Sequence, residues 1–171
     1  MPELPEVEHV VRALRRVLVA RTIFASEIRL RKLIGTTTPA VFNRKLRNAT
    51  ITGVSRRGKF ILIELAQGMS AGILPAKRGQ RAQHLILAVH LRMTGKFLYL
   101  NADDELPKHA HAVFYLDNDR RLVFRDQRQF GVMKLIAADS MTETKGIREL
   151  APENFPHRYP QPTISEVGEL S

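Results

Sequence analysis

The chain has no cysteine among its 171 residues, which excludes disulfides and any thiolate-ligated zinc within it. Nor does any apolar run approach the roughly 18 residues that a membrane helix needs. The first residues, Met1-Pro2-Glu3-Leu4-Pro5-Glu6, lack the basic and apolar regions of a secretory signal. Acidic residues are the minority charge, 17 Asp plus Glu against 27 Lys plus Arg, leaving a formal net charge of +10. Such an excess favours a polyanionic partner, because neutralising phosphates releases counterions whatever the sequence. Charge selects only a partner class. A basic RNA-binding β protein would carry it equally well. The length suits one domain with a real hydrophobic core.

Hydrophobic periodicity supplies the architecture. Val7, Val10, Val11, Leu14, Val17 and Leu18 share one face of a helix predicted between Pro5 and Val19, with Arg12, Arg15 and Arg16 opposite. Pro5 suits the first turn, and Glu6 and Glu8 sit where the helix dipole favours negative charge. After it the period shifts to two. Strands are predicted at 22–30, 49–54, 59–65, 85–91, 96–100, 112–116, 122–125 and 132–136. Asp117-Asn118-Asp119 marks a hairpin turn, and residues 31–47 read as a loop with a short helix. Residues 67–84 look like a flexible basic insertion, and four prolines after Asp139 suggest an irregular tail at 156–171. The expected fold is mainly β: an antiparallel sandwich or pseudobarrel capped by helices, with a long helix at its N-terminus.

Four motifs carry candidate chemistry. Removal of Met1 leaves Pro2 as a free secondary amine, and α-amino groups titrate near pH ~8, far below lysine. An amine of that kind can attack a sugar C1′, displace a base and leave an iminium ion that drives elimination. Glu3 beside it can shuttle the protons. Pro2 and Pro5 are equally readable as helix-start punctuation. Ser55-Arg56-Arg57-Gly58-Lys59-Phe60 is a basic cluster leading into a strand, able to clamp phosphates or to form a solvated turn. His90-Leu91-Arg92-Met93-Thr94-Gly95 offers a flexible apolar wedge in Met93 and a phosphate ligand in His90. Core packing fits Met93 as well, and a satisfied strand histidine fits His90. In Arg125-Asp126-Gln127-Arg128-Gln129-Phe130-Gly131, Arg128 can fill the hole left by an extruded base while Phe130 props the stack open. The competing reading makes these ordinary surface charge with Phe130 in the core.

Together and in this order, the motifs resemble the formamidopyrimidine-DNA glycosylase/endonuclease VIII family over roughly residues 1–155. The opening Pro-Glu-Leu-Pro-Glu-Val-Glu is similar to the formamidopyrimidine branch. The resemblance implies that Pro2 is the Schiff-base nucleophile, with Glu3 as proton-transfer residue and Glu6 supporting the helix start. It makes Lys59 the essential lysine at the lesion. Met93, Arg128 and Phe130 become the trio that fills the gap after base extrusion, with His90 and Arg57 contacting DNA. The implied reaction excises oxidised purines such as 8-oxoguanine and formamidopyrimidine, then nicks the strand by β,δ-elimination. Its implied partner is double-stranded DNA with an oxidised base or abasic site, met by a monomer in the bacterial cytoplasm. His109 and His111 lie in a Lys-His-x-His stretch like the family's, with no role derivable from sequence.

Gln127 and Gln129 replace the family's usual residues, Ala151 replaces a glycine, and the 67–84 insertion is longer than in compact members. The larger departure expected is the absence of the helix-two-turn-helix and zinc-finger domains, and hence of any metal or cofactor in this chain. With much of the phosphate grip missing, weak or absent glycosylase activity of the chain alone is expected, with Schiff-base chemistry surviving best on an abasic site. A non-catalytic DNA-binding module, or a half-enzyme needing a partner, is the alternative.

Overall fold

The protein is represented by a computed structural model that describes residues 4–67 and 83–137. Residues 68–82 of the expected basic insertion, the Pro-rich tail, Pro2 and Glu3 lie outside the described residues, while Gln67, Gln83 and His84 at the insertion's expected ends belong to strands. Helix α1 (Leu4–Leu18) leads into strand β1 (Thr22–Ile28). A 3-10 turn (Arg31–Ile34) and helix α2 (Pro39–Leu46) follow, then seven further strands. These are β2 (Ala49–Arg57), β3 (Phe60–Gln67), β4 (Gln83–His90), β5 (Gly95–Asn101), β6 (Ala110–Leu116), β7 (Arg120–Asp126) and β8 (Val132–Ala137). All eight strands coincide with the runs of period-two alternation. The region 31–47 resolves into two short helical pieces, the second opened by Thr38, whose hydroxyl accepts from the Val41 amide, with Pro39 in the first turn.

The strands form one antiparallel sheet in the order β5-β7-β6-β1-β2-β3-β4-β8. Its weak seam is β1–β2, where only Thr22 and Ile23 find partners. The sheet must fold over at that seam. Strand β4 hands over to β5 through four residues, yet the two sit towards opposite ends of the order. Four residues reach at most about 14 Å, so the two halves of the sheet face each other. Their facing sides hold the core: Ile51, Val54, Ile61, Ile63, Leu87 and Val89 from one half, Phe97, Phe114, Leu122 and Phe124 from the other.

Helix α1 closes this core with Val7, Val11, Leu14 and Leu18, all buried at three- and four-residue spacing. It runs along β2. Glu8 pairs with Arg56 at 2.6 Å, Arg15 Nε donates to the Val54 carbonyl at 3.0 Å, and the Ala20 amide reaches Ile51. Arg15 is therefore half-buried against β2, whereas Arg12 and Arg16 are exposed as the helical pattern predicts. Because Glu8 lies beside Arg56, the helix begins at the β2–β3 hairpin. That fixes where the first turn of α1 lies.

Candidate active site

Strand register gathers three loops at that same end of the fold. Phe60 stands opposite His90, and His90 opposite Val132, so the β2–β3 hairpin, the end of β4 and the start of β8 form one row. Gly95 stands opposite Asp126 in the facing half, which brings the β4–β5 turn beside the β7–β8 loop. The hairpin is tight. Gly58, at φ 58°, takes the left-handed position that a two-residue loop needs, leaving Lys59 at its corner.

His90 is buried, with its ring edge-on to Phe60 at 5.0 Å. Its Nδ1 accepts the Arg92 amide at 3.0 Å, which leaves the neutral ring's hydrogen on Nε2. Burial, then the charges of Arg92 and Lys59, lower its pKa to about 4. At neutral pH His90 is thus an uncharged donor with fixed tautomer, beside two cations suited to phosphate. Arg57 behaves differently. Alternation along β2 turns Arg56 to the side of α1 and Glu8, and Arg57 to the outward face opposite Phe60, where it is nonetheless buried. The expected phosphate contact of Arg57 is not among the groups this geometry presents at the surface.

Met93, Arg128 and Phe130 are exposed. The core-packing alternatives for Met93 and Phe130 are overturned, since about half of each side chain faces out. They sit on two loops joined by one buried carboxylate. Asp126 accepts the Thr94 hydroxyl on Oδ1 and the Gly131 amide on Oδ2 at 2.6 Å, while the Arg128 amide donates to Thr94 Oγ1 at 3.0 Å. Thr94 follows Met93, and Gly131 follows Phe130, so the brace ties all three exposed side chains together. Gly95 and Gly131 both abut Phe124: a Cβ on either would lie under 3 Å from its Cζ, and one on Gly95 would also strike the Leu91 carbonyl. Gly95→Ala is therefore expected to lower unfolding free energy by about 1–3 kcal/mol, read from urea melts. An unchanged midpoint would mean that the turn relaxes freely. The loop tips are themselves wound tightly, with Arg92 and Gln129 at φ 55° and 62°.

Residues 1–133 match the formamidopyrimidine-DNA glycosylase N-terminal domain. This chain belongs to that family. It is 39% identical over 153 residues to the formamidopyrimidine-DNA glycosylase of Pelotomaculum thermopropionicum, covering 90% of this chain and 50% of that protein. With the Enterococcus faecalis enzyme it shares 33% over 166 residues, 97% of this chain and 53% of the relative. The chain spans about half the length of the curated relatives it matches. Its fold is similar to Lactococcus lactis Fpg in complex with DNA containing an abasic site, at TM-score 0.70 and 30% identity, covering 83% of this chain and 46% of that one. The complex of the same protein with a formamidopyrimidine-dG DNA matches at TM-score 0.69.

Within this glycosylase-family domain the expected site divides cleanly. Lys59, His90, Met93, Arg128 and Phe130 are brought to one edge, and Glu6 is exposed on the first turn of α1, which starts at that edge. Sequence reasoning missed Asp126 and Thr94, which hold the trio without being exposed themselves. It also left the His109–His111 pair without a role. His111 is buried, and its Nε2 donates to the Asp126 carbonyl at 2.8 Å while the His109 carbonyl accepts the Asp126 amide at 3.0 Å. The pair is structural, fastening β6 to the brace. Among the described residues no cluster of His, Asp and Glu is grouped to hold a metal ion.

Proposed function

We propose that this chain is the nucleophile-bearing half of a base-excision DNA glycosylase/AP lyase acting on oxidised purines through the amine of Pro2. The observation that carries the reading is the braced, exposed set of Met93, Arg128 and Phe130 at the edge where α1 begins. Exposed apolar side chains are costly unless they meet a partner, and a wedge beside cations suits a duplex from which one nucleotide has left. In this reading the Pro2 nitrogen bonds to C1′, the glycosidic bond breaks, and the base departs with a proton delivered by way of Glu3. The C1′–O4′ bond then breaks as O4′ takes a proton and the nitrogen lone pair forms the C=N bond. The resulting iminium withdraws electrons, so β- and then δ-elimination break the two sugar–phosphate C–O bonds. Lys59 and His90 hold phosphates at the lesion, and Glu6 supports the helix start. None of these steps uses a metal or cofactor. The catalytic unit spans 1–155 and acts as a monomer on double-stranded DNA in the cytoplasm.

The test is borohydride trapping on a duplex with one abasic site, which isolates the amine's chemistry because no base need be excised. A covalent adduct on the N-terminal residue of the wild-type chain is expected. Pro2→Gly, which keeps a primary amine, should give a weaker adduct, and Glu3→Gln a slower one. A folded chain lacking Met1 that gives no adduct would leave a DNA-binding module, or a half-enzyme that needs a partner.

A further inference from the structure

Phe130 has a second cation beside it that comes from neither of the two braced loops. Lys32 Nζ lies 5.9 Å from the Phe130 ring centroid, and the Arg128 guanidinium carbon lies 5.5 Å from it. Both cations are exposed, and among the described residues no carboxylate pairs with either. Lys32 stands on the 3-10 turn Arg31–Ile34, whose Leu33 and Ile34 are buried in the main core. The amides of Arg29 and Leu30, just before the turn, donate to the His111 carbonyl, and the His111 ring is bonded to Asp126. Lys32 is thereby held in fixed relation to the brace that holds Phe130.

We propose that Lys32 is a DNA-contact residue, binding a backbone phosphate beside the point where Phe130 enters the base stack. This rests on the reading of Phe130 as a wedge. An attraction to an exposed ring is worth only about 0.5–1 kcal/mol, too little to hold a flexible ammonium against a stronger anionic partner. When the ring enters a stack, a charge about 6 Å from it comes to the groove wall, where phosphates lie. A phosphate contact positions the protein without reading sequence. It is therefore expected to act on salt dependence and not on the choice of base opposite the lesion.

The experiment measures the affinity of the full chain for a short duplex carrying one tetrahydrofuran abasic analogue, by fluorescence anisotropy between 50 and 200 mM salt. One lost phosphate contact lowers the slope of log K against log salt by about 0.9, so Lys32→Gln should lose roughly three-fold less affinity than wild type over that range. Lys32→Arg should keep the wild-type slope, and cytosine-over-adenine preference opposite the analogue should be unchanged in both. A Lys32→Gln slope equal to wild type overturns the proposal, and so does a shift in base preference with unchanged slope, which would make Lys32 a prop for the ring. If wild type binds abasic and intact duplex equally while Lys32→Gln still lowers the slope, the wedge and glycosylase readings fail and the phosphate contact stands. No measurable binding to either duplex at 50 mM salt overturns both.

Discussion

Asp126→Ala is expected to lower the unfolding free energy by about 3–5 kcal/mol. The carboxylate is 1% exposed and accepts two hydrogen bonds, from the Thr94 hydroxyl and the Gly131 amide. Bonds to a charged acceptor are worth roughly 1.5–3 kcal/mol each, and their removal leaves the donors unpaired in the interior. The Gly131 amide has nowhere to turn, because that glycine is pressed against Phe124. A loss of this size is a large share of the roughly 5–15 kcal/mol that holds a domain folded. Asp126→Asn should cost about half as much, since one carbonyl oxygen still accepts the Gly131 amide. Thr94→Val tests the other arm and should cost about 1–2 kcal/mol. Because the two residues share one hydrogen bond, the Asp126→Ala/Thr94→Val pair should fall short of additivity. Urea melts decide: an Asp126→Ala chain within 1 kcal/mol of wild type would mean that the brace does not bear on stability, and full additivity would mean that its two arms act independently.

The same variants separate positioning from contact. Asp126 is buried behind the exposed edge, so its loss should reach DNA binding only through disorder of the loops carrying Met93, Arg128 and Phe130. Salt dependence should then stay close to wild type while the preference for abasic over intact duplex falls. Loss of Lys59 or Lys32 is expected to do the reverse.

Local pattern made the elements legible, and long-range hydrogen bonding decided the site. Val7, Val11, Leu14 and Leu18 announce α1, and the alternation of Ile61, Ile63 and Leu65 with Phe60 and Leu62 announces β3. Strand order does not follow from such patterns: β1 pairs with β6 almost ninety residues later. Composition alone also misjudges Met93 and Phe130, whose apolar side chains favour burial. They stand out because Asp126 and the glycines fix their backbones, and that depends on residues 94, 126 and 131 meeting across two loops. Arg56 and Arg57 are identical in type, and only strand alternation assigns one to Glu8 and the other to the face that carries Phe60. The family's opening motif, by contrast, was readable at once, because its meaning lies in residue order and needs no tertiary geometry.

Stability should respond to pH in two opposed ways that single substitutions can pull apart. Glu64 stands on the outward face of β3 with Phe60 and Leu62, opposite Ile86, and its Oε1 is buried without a hydrogen-bond partner among the described residues. Burial raises its pKa from 4.5 to about 7. Between those values the unfolded chain releases the proton while the folded chain keeps it. Stability therefore falls as pH rises through that window, by about 3 kcal/mol in all. His90, lowered from 6.5 to about 4, does the opposite. As pH falls from 6.5 to 4 the unfolded chain takes up a proton that the folded chain refuses, and stability falls by a similar amount. Across pH 4.5–6.5 the two nearly cancel, so these groups leave the wild-type profile flat. Glu64→Gln should expose the histidine, giving stability that climbs with pH from 4 to 6.5. Its advantage over wild type should grow by about 3 kcal/mol between pH 4.5 and 7.5. His90→Gln should expose the carboxyl, with stability falling between pH 4.5 and 7. Urea melts at four pH values supply the comparison, with the slopes carrying the answer because each substitution also shifts the baseline. Parallel profiles for wild type and Glu64→Gln would show that water reaches the carboxyl, and parallel profiles for wild type and His90→Gln would show the same of the imidazole.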